Sequence, residues 1–114
     1  MQYLLLIYED EKRWINPSPE EAQAEMGAYI AFGKENAAAI LGGNALQPTM
    51  TGKTVRVRNG QASVTDGPFA ETKEQLGGYY LVEAASPEAA VAIAGKIPGA
   101  KSGCVEVRPI QTFA

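Results

Sequence analysis

The chain has 114 residues, 46% of them apolar and 20% charged, which is the size and composition of one globular domain spanning 1–114. A formal charge of -3 and no basic run argue against a nucleic-acid partner, because phosphate binding needs concentrated Lys and Arg. With no histidine and one cysteine, Cys104, the chain lacks Ser-His-Asp and Cys-His machinery, histidine- or thiolate-held metals and any intrachain disulfide.

The apolar start, Tyr3 to Tyr8, is too short for a signal sequence or membrane span, so the expectation is a cytoplasmic protein with no membrane association. An unbroken apolar run of that length reads as a strand covered on both faces. Glu9 to Arg13 reads as a charged turn; its acids could hold a hard cation but are more simply solvated. Trp14-Ile15 is a small apolar anchor.

A first helix is announced by Ser18 as N-cap, Pro19 at the first helical position and Glu21 completing a capping box. Its expected inner face is Ala22, Met26, Tyr29, Ile30, Gly33, Ala37 and Ile40, and Gly42-Gly43 is expected to end it.

Asn59-Gly60, between Thr54–Arg58 and Gln61–Thr65, is the strongest two-residue hairpin signal. The register it imposes puts Val55, Val57, Ala62 and Val64 on one face, expected to be core. Thr54, Arg56, Arg58, Gln61, Ser63 and Thr65 share the other. Asp66-Gly67-Pro68-Phe69 then turns the chain, and a charged stretch, Glu71 to Gln75, leads to Gly77-Gly78 and a strand from Tyr79 to Ala84. Ser86 and Pro87 start a second helix with Ala90, Ile93, Ala94 and Ile97 inward, stopped by Pro98-Gly99. A last strand runs from Cys104 to Ile110, with Cys104 expected to be partly buried.

The order suits an α+β fold, a ferredoxin-like split βαβ with an extra β-hairpin and both helices on one sheet face. The opposite face of the apolar strands would then be wet, so a homodimer that buries it is expected.

The segment DGPFAETKEQLGGYYLVEA holds the candidate site. Asp66 is either a turn cap or a carboxylate at a strand end that performs proton transfer, the candidate catalytic residue. Around it, Arg56 and Arg58 could grip an anion bidentately, with Phe69, Glu71 and Lys73 nearby. Tyr79 and Tyr80 point to opposite faces, so one phenol should line a pocket. Gly77-Gly78 indicates close backbone approach and lacks the context of a phosphate cradle. No cofactor motif is present.

That segment, with YLLLIYED, TVRVRNGQASVTDGPF, GGYYLVEA and VEVRPI, resembles the DGPF group of the YCII-related family along nearly the whole chain. The resemblance implies a ferredoxin-like subunit paired into a dimeric α/β barrel. Relatives in the wider superfamily carry a His-Asp pair suggested as an active site; here Asp66 has no histidine to pair with. The resemblance also implies an association with extracytoplasmic-function sigma factors. Three roles follow: a dimer binding a small polar ligand, an enzyme moving a proton on a small polar or aromatic substrate, and an interaction module for a sigma factor.

Overall fold

The computed structural model describes residues 1–113. Six strands and four helices follow in chain order: β1 Gln2–Glu9, α1 Lys12–Ile15, α2 Pro19–Glu35, β2 Ile40–Ala45, β3 Lys53–Arg58, β4 Gln61–Asp66, β5 Gln75–Glu83, α3 Pro87–Ala94, α4 Gly99–Ser102 and β6 Cys104–Pro109. The main sheet has the order β2-β5-β1-β6 with every neighbour antiparallel. This is the split-βαβ, ferredoxin-like arrangement, and β3-β4 form a separate two-stranded sheet.

Strand alternation sets the core. Tyr3, Leu5 and Ile7 of β1 and Val82 of β5 point to one side and are buried with Phe32 of α2, Ala90 and Ala94 of α3, and Ile97. Each large apolar side chain taken fully out of water contributes about 1.5–3 kcal/mol, so this layer carries much of the stability. Leu4, Leu6 and Tyr8 alternate to the opposite side. There, Leu4 lies beside Leu81 and Leu6 beside Tyr79, and all five are half-buried.

Helix α2 begins as the sequence indicates. The Ser18 hydroxyl accepts from Glu21 N–H, and the Glu21 carboxylate accepts from Ser18 N–H. Its end and its facing differ. The helix stops at Glu35, because buried Asn36 donates its side-chain amide to the Phe32 carbonyl, 3.0 Å away, while its own N–H bonds the same oxygen. The chain then enters β2, so Ile40, Gly42 and Gly43 are strand residues rather than a helix end. At Gly43 a Cβ would stand 2.7 Å from the Tyr79 carbonyl oxygen and 2.8 Å from the Tyr80 ring, so β2 can lie this close only with glycine there. Gly78 meets Asn44 in the same way. The inner face of α2 is Glu25, Tyr29, Phe32, Gly33 and Asn36; Met26 and Ile30, expected inside, are 66% and 52% exposed.

The hairpin adopts the expected register, Val55 opposite Val64 and Val57 opposite Ala62, with positive φ at both Asn59 and Gly60. Its apolar face is not core within the chain: Val55, Val57 and Val64 are each about 60% exposed. A hairpin standing off the main sheet accords with the radius of gyration, 16.1 Å, against roughly 13 Å for a compact chain of about 100 residues. Cys104, expected to be partly buried, is exposed on β6. No helix among the described residues is long and apolar enough to cross a membrane.

Candidate functional site

Where β1, β5 and β2 reach the N-terminal part of α2, a cavity of about 450 Å³ opens between helix and sheet. That volume lies in the range of small-molecule sites. Its polar groups come from β1, α1, α2, β2, β5 and the segments between them.

Glu9 ends β1. Its Oε2 accepts from the Trp14 indole N–H at 2.9 Å and from the Ser102 hydroxyl at 2.8 Å. These bonds tie α1 and α4 to the strand end. Helix α4 fits because residues 99 and 103 are glycines: a Cβ at 99 would stand 2.6 Å from Glu9 Oε1 and 2.9 Å from the Tyr29 hydroxyl, and one at 103 would overlap the Tyr8 carbonyl oxygen. Glu11 fastens the opposite rim. Its Oε2 accepts from Thr49 N–H at 2.9 Å, its Oε1 accepts from the Thr49 hydroxyl, and its own N–H donates to Gln75 Oε1. The segment through Leu46, Gln47 and Pro48 thereby closes one wall, aided by Leu46 N–H on the Gly77 carbonyl.

Helix α2 contributes Glu25 and Tyr29, one turn apart on its inner face. Beneath them Phe32 packs on Tyr80 with ring centroids 5.0 Å apart. Glu25 shares none of the bonds that hold Glu9 and Glu11. Partial burial, reinforced by the negative Glu9 and opposed by Arg13, raises its pKa above the usual carboxylate value. Burial also pushes the Tyr29 phenol well up, with Glu9 and Glu25 adding to the rise and the Gly99 backbone opposing it. Tyr80 is raised by burial. The site thus combines one unanchored carboxyl whose pKa lies above the usual carboxylate value with phenols that stay protonated, an arrangement suited to hydrogen bonding and proton exchange with a bound molecule. No group of three or more acids or cysteines among the described residues is placed to hold a metal ion.

The residues singled out in the sequence divide between two places. Tyr80 lines the cavity, whereas Tyr79 borders it through its main chain and turns its side chain with Leu6 to the opposite sheet face, its hydroxyl accepting from the Asn44 side chain at 3.0 Å. Asp66 lies at the end of β4 in an exposed ion pair with Lys53, 2.5 Å apart. Arg56 and Arg58 sit on the exposed hairpin, Arg58 bonding the neighbouring Val57 carbonyl. Phe69, Glu71 and Lys73 are exposed in the loop to β5. None of these six contributes to the cavity wall. Conversely, Glu25 and the anchoring roles of Glu9 and Glu11 carry no distinct sequence signal, and Trp14, read as an apolar anchor, also supplies an indole donor to Glu9. A lone acid on an amphipathic helix reads as solvated, and the link from Glu11 to Thr49 joins residues whose proximity only the fold creates.

Comparison with known proteins decides the family. The model of the YCII-related domain matches residues 1–114. The chain belongs to the YCII-related family. An uncharacterised protein of Rhizobium meliloti (strain 1021) is 36% identical over 122 residues, covering 99% of this chain and 94% of that protein. Among solved structures, 5-chloro-2-hydroxyhydroquinone dehydrochlorinase from Burkholderia phenoliruptrix AC1100, in complex with 2,5-dihydroxybenzoquinone, superposes with a TM-score of 0.52. It shares 16% sequence identity, over 99% of this chain and 96% of that one. At that identity the likeness concerns the fold.

Proposed function

We propose that this YCII-related protein is a cytoplasmic small-molecule-binding protein whose site is the cavity between α2 and the sheet, and that Glu25 exchanges a proton with the bound molecule. The observation that carries the reading is the position of Glu25: an unanchored carboxyl with a raised pKa, facing an aromatic-walled space of about 450 Å³. Tyr29 and Tyr80 would orient a ring-shaped ligand by edge or face contact, with the Tyr29 hydroxyl as a neutral hydrogen-bond donor. The dehydrochlorinase that shares the fold is recorded with a small quinone, which is in keeping with a compact ring as the occupant here.

A second proposal concerns assembly. Leu4, Leu6, Tyr8, Tyr79 and Leu81 form an apolar patch on the sheet face away from the helices, and pairing with a second copy would cover it.

A thermal-shift screen with hydroxylated and aminated single-ring compounds tests the site. Compounds that stabilise the wild type should lose their effect in Glu25→Gln and Tyr29→Phe and keep it in Asp66→Asn. A screen in which Asp66→Asn abolishes the shifts and Glu25→Gln preserves them would move the site to the hairpin.

A further inference from the structure

The charge pattern of the cavity assigns its ligand a class, an inference that rests on the cavity being the binding site. Three carboxylates line the space, Glu9, Glu11 and Glu25, and none of the lining residues is Lys or Arg. The donors that hold Glu9 and Glu11 are an indole, two hydroxyls and a backbone amide. All are uncharged, so they satisfy the carboxylates without neutralising them. Arg13, whose guanidinium stands 5.6 Å from the Trp14 ring centroid, lines the neighbouring groove with Lys96 and Lys101; Glu25 and Trp14 border that groove too, and Arg13 partly offsets the charge on Glu25.

In a half-open cleft lined by partly buried side chains, such charges act through a dielectric below that of water. A ligand carboxylate or phosphate entering here meets like charge from Glu9 and Glu11, whose bonding partners are all neutral. An ammonium gains on two counts, from the carboxylates and from the ring faces of Tyr29 and Tyr80. We infer that the cavity takes a small organic cation, an amine carried on a ring, with its ammonium against Glu25 and its apolar body against Trp14, Tyr29 and Tyr80. Gly43, Ala45, Gly77 and Gly78 also line the cavity and leave room for the body of such a molecule without adding a charged side chain.

The sequence contains one tryptophan, so intrinsic fluorescence reports on this cavity wall. The test uses three probes of one shape and different charge, benzylammonium, benzyl alcohol and benzoate, titrated at pH 7.5 and followed by Trp14 emission and calorimetry. Benzylammonium should bind at least ten-fold tighter than benzyl alcohol, benzoate should not bind measurably, and Glu25→Gln should reduce the ten-fold preference to three-fold or less. Equal affinity for the amine and the alcohol, or tighter binding of benzoate, overturns the charge assignment and leaves the cavity site standing. If all three probes bind with affinities that Glu25→Gln and Tyr29→Phe leave unchanged and without altering Trp14 emission, the site reading fails together with the assignment.

Discussion

Replacing Phe32 by Ala isolates the facing of α2, on which the position of Glu25 and Tyr29 depends. Phe32 is 2% exposed and packs on Tyr80, whereas Ile30, two residues earlier, is 52% exposed. Truncating a buried Phe costs about 3–5 kcal/mol, including about 0.5–1.5 kcal/mol for the aromatic pair. Unfolding entropy near 60 °C is roughly 2.1 cal/mol/K per residue, or about 0.24 kcal/mol/K for this chain, so Phe32→Ala should lower Tm by about 12–20 °C. Ile30→Ala removes a side chain already half in water and installs a better helix former, leaving a net change within about 0.5 kcal/mol. Thermal unfolding followed by circular dichroism at low micromolar concentration measures both. A loss for Ile30→Ala as large as that for Phe32→Ala would mean that the helix is turned by roughly half its circumference, and the cavity would lose its Glu25 wall.

Other substitutions probe separate parts of the account. Gly103→Ala drives a methyl group into the Tyr8 carbonyl at the end of β1 and should cost about 1–3 kcal/mol by Tm, with weaker ligand binding because Glu9 moves. The raised Glu25 pKa gives a pH signature. The folded state holds this proton more tightly than the unfolded chain, so the group contributes no penalty below its usual value of 4.5 and becomes a cost as pH rises through the folded pKa. Glu25→Gln should therefore raise Tm at pH 8 relative to wild type and leave it nearly unchanged at pH 4; the reverse ordering would contradict partial burial of this carboxyl. On the open sheet face, Leu6→Asp should convert a dimer to a monomer in sedimentation velocity without unfolding it, and a monomeric wild type at micromolar concentration would remove the pairing proposal.

The local signals in the sequence transferred well to the structure. The capping box at Ser18 and Glu21, the hairpin register set by Asn59-Gly60, the Ser86-Pro87 helix start and the inward Ala90, Ala94 and Ile97 are all present, because each depends on neighbours within one turn or one ladder. What failed depends on distant partners. Ala37 to Ile40 has good helical propensity, but Ala39 C=O accepts from Glu83 N–H and Ile40 pairs with Val82, so the sheet edge takes this segment from the helix. Gly42-Gly43 read as a helix stop for the same reason, since the close approach to Tyr79 and Tyr80 is invisible from the chain itself. The valines of the hairpin alternate as a core face alternates, yet nothing in that pattern says whether this chain covers them.

The candidate site was legible only at the tyrosine pair, of which Tyr80 faces the cavity. The motif from Asp66 to Phe69 carries the family resemblance and lies at the end of the hairpin, while the cavity is assembled from the end of β1, the inner face of α2 and the segment after β2. Glu25 and Glu9 are 16 positions apart and meet only once the helix lies across the sheet, so no local spacing could pair them.

The most direct test is amide chemical-shift mapping of ¹⁵N-labelled protein as benzylammonium and then benzyl alcohol are added. The largest shifts should fall on the Trp14 indole N–H and the amides of Gly43, Ala45 and Gly78, with Gly60, Thr65 and Gly67 of the hairpin unmoved. Shifts confined to the hairpin and the loop from Phe69 to Lys73 would contradict a site between α2 and the sheet.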